Sequence, residues 1–215
     1  IGASIIANTK SPELAAAGEG TLTKGELGAR YRSNGNSQGM NASATIATEN
    51  FSVSYTGSTA KADNYKAGGD FKTYTTTGVA GHSLARDEVG STAYESRNHM
   101  LTFGMRSGNH LIETKLSYQD IPYELYPNQR MDMLGNEQKR ASIRYLGSFD
   151  WGSMEARAYH EEVDHFMDFG ADKRYWYGQA SGPGNTGQTS INGTPCAAPI
   201  FGMAGGCAAG MPMYT

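Results

Sequence analysis

The soft donors of this chain are spaced in a way that fits metal binding. His165 and Met167 stand two residues apart in Asp164-His165-Phe166-Met167-Asp168, and Met131-Asp132-Met133 and Met211-Pro212-Met213 repeat the spacing with two thioethers. Met203 lies between Cys196 and Cys207. An imidazole beside a thioether suits a soft ion such as Cu(I) better than a hard one such as Fe(III). In an extended strand, residues i and i+2 share a face, so His165 and Met167 reach toward one side together. Two uses of the pair stay open: it binds a soft metal, or His165 hydrogen-bonds in a polar channel while Met167 fills a gap. The accessory methionines Met131, Met133, Met203, Met211 and Met213 divide the same way, between a relay that captures an ion and plain packing of loops, where such residues are uncommon if exposed. Cys196 and Cys207, with ten residues between them, would close their loop as a disulfide in an oxidising compartment. Metal binding or free thiols are the alternatives.

The elements that must carry these groups are strands. Period-two alternation recurs in seven segments of about the length that a tilted membrane strand requires. Phe51, Val53, Tyr55 and Gly57 alternate with Ser52, Ser54 and Thr56; Leu101, Phe103 and Met105 alternate with Thr102, Gly104 and Arg106. Ile112, Thr114, Leu116 and Tyr118 oppose Glu113, Lys115 and Ser117, and Ala141, Ile143, Tyr145, Gly147 and Phe149 oppose Arg140, Ser142, Arg144 and Ser148. Weaker strands fall around 25–32 and 39–48, and the seventh runs from about 153 to 169. There Met154, Ala156 and Ala158 form an apolar face against Glu155, Arg157, Tyr159 and Glu161, and continuing the alternation puts Val163, His165 and Met167 on the polar side.

The connections alternate in length. Thr48-Glu49-Asn50, Ser107-Gly108-Asn109 and Asp150-Trp151-Gly152 are tight turns, while 33–38, 60–93, 120–137 and 170–215 are longer. Short turns at one end and long loops at the other are expected of an all-β, antiparallel, up-and-down transmembrane barrel, with its charged face toward a wet lumen. A soluble all-β sandwich is the other fold that periodicity allows. Phe149 and Trp151 at one end, and Tyr118, Tyr123 and Tyr126 at the other, fit two interfacial girdles. His82, His99, His110 and His160 read as structural, and Tyr175, Trp176 and Tyr177 as loop packing.

Composition excludes several functions. Gly makes up 28 of 215 residues and hydrophobic residues only 38%, an unusual balance for a compact soluble domain. No window approaches the ~20 apolar residues of a membrane helix. With 18 basic and 21 acidic residues dispersed along the chain, no basic patch for nucleic acid exists. There is no GxSxG, HExxH or P-loop, and adjacent His82-Ser83 cannot supply a hydrogen-bonded base and nucleophile, so an enzyme is not expected.

Gly2-Ala3-Ser4-Ile5-Ile6-Ala7-Asn8-Thr9-Lys10-Ser11-Pro12 resembles the end of the plug domain in TonB-dependent receptors, and Lys24-Gly25-Glu26-Leu27-Gly28-Ala29-Arg30-Tyr31 resembles that family's first barrel strand. Tyr126-Pro127-Asn128-Gln129-Arg130-Met131-Asp132-Met133 and the stretch 155–177 are similar to the copper-receptor branch of the family. The resemblance implies a bacterial outer-membrane barrel of about 22 strands closed around a plug. It divides the chain into the end of the plug and its connection at 1–20 and the first part of the barrel at 21–215. It also implies outer-membrane lipid, a TonB energy-coupling complex and a metal or metal chelate as partners, with no resident cofactor and copper as cargo. In that branch a His-x-Met of the barrel meets a Cys and a Met of the plug; His165 and Met167 match the barrel half, and the plug half has no counterpart here. An iron-siderophore or other metal chelate is the second substrate reading, and a soluble or surface-exposed β-rich adhesin is the reading from another class.

Overall fold

A computed structural model of the chain describes residues 11–73, 75–77, 79, 81–129 and 131–173. Seven strands form one antiparallel sheet in chain order: β1 (Leu22–Arg32), β2 (Ser37–Ala47), β3 (Phe51–Ala62), β4 (Tyr94–Ser107), β5 (His110–Glu124), β6 (Asp132–Phe149) and β7 (Gly152–Asp168). Every strand pairs with its sequence neighbour, so the sheet is an up-and-down meander. A single 3-10 turn at Asn34–Asn36 links β1 to β2, and among the described residues there is no α-helix.

The strands run further than alternation alone indicates. β6 begins at Asp132, not near 140, and β5 reaches Glu124, so the connection expected over 120–137 shrinks to 125–131. The strand-end residues Gln119-Asp120 and Asn136 to Lys139 are polar on both faces and give no period-two contrast. The connection expected over 33–38 is likewise only 33–36. Met133, expected in a loop, lies within β6, is buried, and pairs across the strands with Met167. The three tight turns are where they were expected. Gly108 makes the β4–β5 turn with φ +55°, a left-handed conformation that costs a glycine nothing.

Strand register sorts the side chains into two continuous faces. One row runs Ala44, Tyr55, Leu101, Leu116, Ala141 across β2 to β6, and the row beside it runs Ile46, Val53, Phe103, Thr114, Ile143, Ala158 across β2 to β7. These residues form an apolar band, and its large members are exposed: Ile46 61%, Ile143 49%, Leu116 45%. The opposite face carries Glu113 beside Arg144 and Lys115 beside Ser142. Among the described residues no second layer packs on the apolar face, and the buried apolar ones are only Ala15, Ala47, Ala62, Leu84 and Met133. A water-soluble sandwich buries such a face under another sheet, whereas a barrel wall turns it to lipid.

Polar and aromatic groups bracket the band at both ends. Toward the tight turns, the His110 ring stacks on Tyr145 and meets the edge of Phe149, which stacks on Trp151. Toward the long connections, Tyr55, His99 and Tyr118 stack in a row, with His99 Nδ1 and the Tyr55 hydroxyl 2.7 Å apart and the Tyr118 hydroxyl donating to Glu137. Amphipathic rings at two levels are the arrangement of interfacial girdles. His99 and His110 therefore belong to the girdles, and His160 pairs with Ala141 on the same outer face.

Residues 11–20 lie against the inner face near the tight turns. Pro12 packs on Gly104, where a Cβ would come within 2.6 Å of the proline ring. The Ala15 amide donates to the Thr48 carbonyl at 3.0 Å, Glu13 pairs with Lys24, and the Gly18 amide donates to the Glu49 carboxylate.

Candidate functional site

The inner face is organised in three levels. The middle level is an ion ladder across β5, β6 and β7. Lys115 pairs with Glu113 at 2.9 Å, Arg144 with Glu155 at 3.1 Å and Arg140 with Glu161 at 3.8 Å, while Arg157 shares Glu155. Arg144 and Arg157 stand directly opposite each other, a like-charge contact that the shared Glu155 offsets. Arg140 also lies over the Tyr159 ring, 5.2 Å from its centre. With Ser11 at its edge, this wall lines a hollow of about 570 Å³.

Above it is an amide ladder that ends on His165. Gln119 Nε2 donates to Asn98 Oδ1 at 2.7 Å, and Asn136 Nδ2 donates to Gln119 Oε1 at 3.4 Å. Asn136 Oδ1 lies 3.0 Å from His165 Nδ1, and the two residues are cross-strand partners. A bulge at Leu134 in β6 lets this register coexist with the Met133–Met167 pairing one rung further on. His165 is thus on the inner face, near the far end of β7 and beyond the ~9–11 residues that cross a bilayer. Met167 is half-buried two residues on, at the same strand end.

Outermost is a buried polar cluster that ties the long connections together. Lys173 Nζ lies 3.0 Å from Asp132 Oδ1, with both side chains wholly inaccessible, and Nζ also donates to the Tyr126 carbonyl at 2.5 Å. Ser91 Oγ and the Tyr126 amide donate to Asp132 at 2.9 and 2.8 Å. Asp172 accepts from the Ser91 amide at 2.7 Å and Asn64 Nδ2 at 2.8 Å, and faces His82 Nε2 at 2.7 Å. Asn64 Oδ1 in turn accepts from the amides of Thr92 and Ala93. Ser91 holds φ +52° inside this web, and a Cβ on Gly170 would collide with the Asp132 carboxylate. Connection 63–93, connection 125–131 and residues 169–173 after β7 are therefore held together.

The charges of the cluster are set by burial and hydrogen bonding. Burial of the Asp172 carboxyl works to raise its pKa, but the Ser91 amide, Asn64 and His82 outweigh it and leave it below the ordinary carboxylate value. Burial lowers the Lys173 ammonium from its usual range, against the opposing pull of Asp132. A depressed carboxylate pKa adds stability that is present above the unfolded value, near ~4, and lost as pH falls through the folded one. Amide exchange at Ser91 and Thr92, corrected for the intrinsic rate, is therefore expected to stay slow from pH 7 to 5 and to quicken below about pH 4. In Asp172→Asn that low-pH step should be much smaller; an unchanged step would assign the loosening to another group.

Of the expected site residues, the structure brings His165, Met167 and Met133 to one strand end and leaves Met131 exposed in the neighbouring connection. Met203, Met211, Met213, Cys196, Cys207 and Tyr175 to Tyr177 lie outside the described residues. Among the described residues no three His, Cys, Asp or Glu side chains cluster closely enough to hold a metal ion. Asn136, Asp132, Asp172 and Lys173 were not expected from the sequence, because each acquires its role through pairing or long-range contact.

Neither a protein-family model nor a curated protein matches the sequence. A solved structure is similar in fold: Copper transporter OprC, with TM-score 0.56 and 19% identity over 74% of this chain. The fold is that of a β-barrel segment. The chain spans 22% of the length of that transporter, as a seven-stranded wall with one apolar and one polar face would.

Proposed function

We propose that this chain is the first part of the barrel of a TonB-dependent outer-membrane receptor, with residues 1–20 the end of its plug domain, and that the receptor imports copper. Its barrel-side ligands are His165 and Met167, with Met133 and Met131 as accessory thioethers. One observation carries the reading: an imidazole and a thioether sit together at the far end of β7, on the polar face of a sheet whose other face is an apolar band bracketed by aromatic girdles. That the similar solved structure is a copper transporter supports the same cargo. A soft ion bound here would meet incoming solvent first, at the long-connection end. Two ligands do not complete a site, so the remaining donors come from the rest of the receptor. Transport inward requires the energy-coupling complex acting on the plug. Iron-siderophore or another metal chelate is the competing cargo, because the barrel framework does not fix the substrate.

The test is Cu(I) binding to the full-length protein in detergent, by competition against a chromophoric chelator. Tight binding by the wild type, weakened at least about 100-fold in His165→Ala, Met167→Ala, is the expected result. Equal binding by both proteins, or none by either, moves the cargo to a chelate.

A further inference from the structure

Imidazole binds a metal through an unprotonated ring nitrogen, so the proton must be held on the other one. In this structure the holding group is Asn136. Its Oδ1 lies 3.0 Å from His165 Nδ1, and Nε2 of His165 makes no hydrogen bond among the described residues. The orientation of the Asn136 amide is coupled to the ladder behind it. Asn136 Nδ2 gives a hydrogen to Gln119 Oε1, and Gln119 Nε2 gives one to Asn98 Oδ1. The three amides are locked to one another, because flipping one alone would place two donors or two acceptors face to face, and in this arrangement the carbonyl oxygen of Asn136 is the atom turned to the histidine. An oxygen there accepts only from a protonated Nδ1.

We infer that Asn136 is a positioning residue for His165: the amide ladder from Asn98 through Gln119 fixes the Nδ1-protonated tautomer and leaves the Nε2 lone pair facing the lumen as the metal-binding atom. This rests on the copper reading for its purpose, but the tautomer itself does not. Strand geometry supports the role. Asn136 is directly opposite His165, Gln119 is diagonal to Asn136, and Asn98 is directly opposite Gln119, so the relay spans four hydrogen-bonded strands and moves with the barrel wall rather than with a loop. The bulge at Leu134 brings this partner onto the rung beside the Met133–Met167 pair.

The experiment uses full-length protein in detergent with nitrogen-15-labelled histidine, at a pH where the ring is neutral. The His165 signals are assigned by their loss in His165→Ala. Wild type is expected to show a protonated Nδ1 and a bare Nε2. Asn136→Leu, which offers no acceptor, should shift His165 toward the Nε2-protonated form that free imidazole side chains favour, and should weaken Cu(I) binding about 10–100-fold. Asn136→Asp keeps an acceptor and should retain both the tautomer and the affinity. Gln119→Leu, which does not touch His165, should produce a smaller tautomer shift. An unchanged tautomer in Asn136→Leu, or an Nε2-protonated wild type, overturns the inference whatever the metal result. If His165→Ala leaves Cu(I) binding intact while the tautomer responds to Asn136, the copper reading fails and the positioning role stands.

Discussion

Replacing Lys173 with methionine is expected to unlock the long-connection end of the molecule while leaving the sheet intact. The Lys173 ammonium and the Asp132 carboxylate are both wholly inaccessible and 3.0 Å apart. Removing one partner of such a pair leaves an uncompensated buried charge, at a cost of about 3–5 kcal/mol. Asp132 keeps hydrogen bonds from Ser91 and the Tyr126 amide, which offset part of that cost and place the expected loss toward the lower figure. Hydrogen exchange should show the loss in 63–93 and 125–131, with protection in mid-strand β4 to β6 unchanged. Asp132→Asn combined with Lys173→Met should be milder than Lys173→Met alone, because no charge then remains buried. A Lys173→Met protein with wild-type exchange in both connections would mean that the pair contributes nothing to holding them.

The unequal legibility of the wall and its outer cluster has a physical origin. Where a strand separates an apolar face from a polar one, as in 51–58 or 100–106, the alternation reports two different environments on its two sides, and both strand and face could be read directly. Past the outer girdle both faces meet water or protein polar groups. Gln119, Asp120, Asn136, Glu137 and Gln138 then carry no contrast, and the ends of β5 and β6 went unrecognised. The placement of His165 and Met167 on the polar face followed from β7 alone, by counting every second residue on from the contrast between Met154, Ala156 and Ala158 and Glu155, Arg157 and Glu161, since β7 carries no extra residue to shift the count. The environment of His165 did not follow, because it depends on a bulge in β6 and on contacts across four strands. The outer cluster was still less accessible: Asn64, Ser91, Asp132 and Asp172 are common loop residues, brought together from positions as far apart as 64 and 172. Only register and loop packing identify them.

Placing arginine on the two faces at equal height is expected to separate a membrane wall from a soluble sheet. Leu116 sits mid-band on β5 between Leu101 and Ala141, with 45% exposure. Thr56 lies next to Tyr55, which shares that row, and points to the inner face. In lipid, Leu116→Arg should cost about 2–4 kcal/mol at mid-depth, whereas Thr56→Arg, in a wall already lined by Lys115 and Arg140, should cost under about 1 kcal/mol, as for substitutions away from buried features. The measurement is folding of the full-length variants into lipid vesicles against urea. A soluble or surface-exposed β-rich adhesin would give a different pattern: it would fold without detergent or lipid, and Leu116→Arg would be tolerated, because an exposed leucine replaced by arginine in water loses little. Equal tolerance of the two substitutions would therefore remove the lipid from the apolar face, and with it the reason for a sheet that buries so little of its own apolar surface.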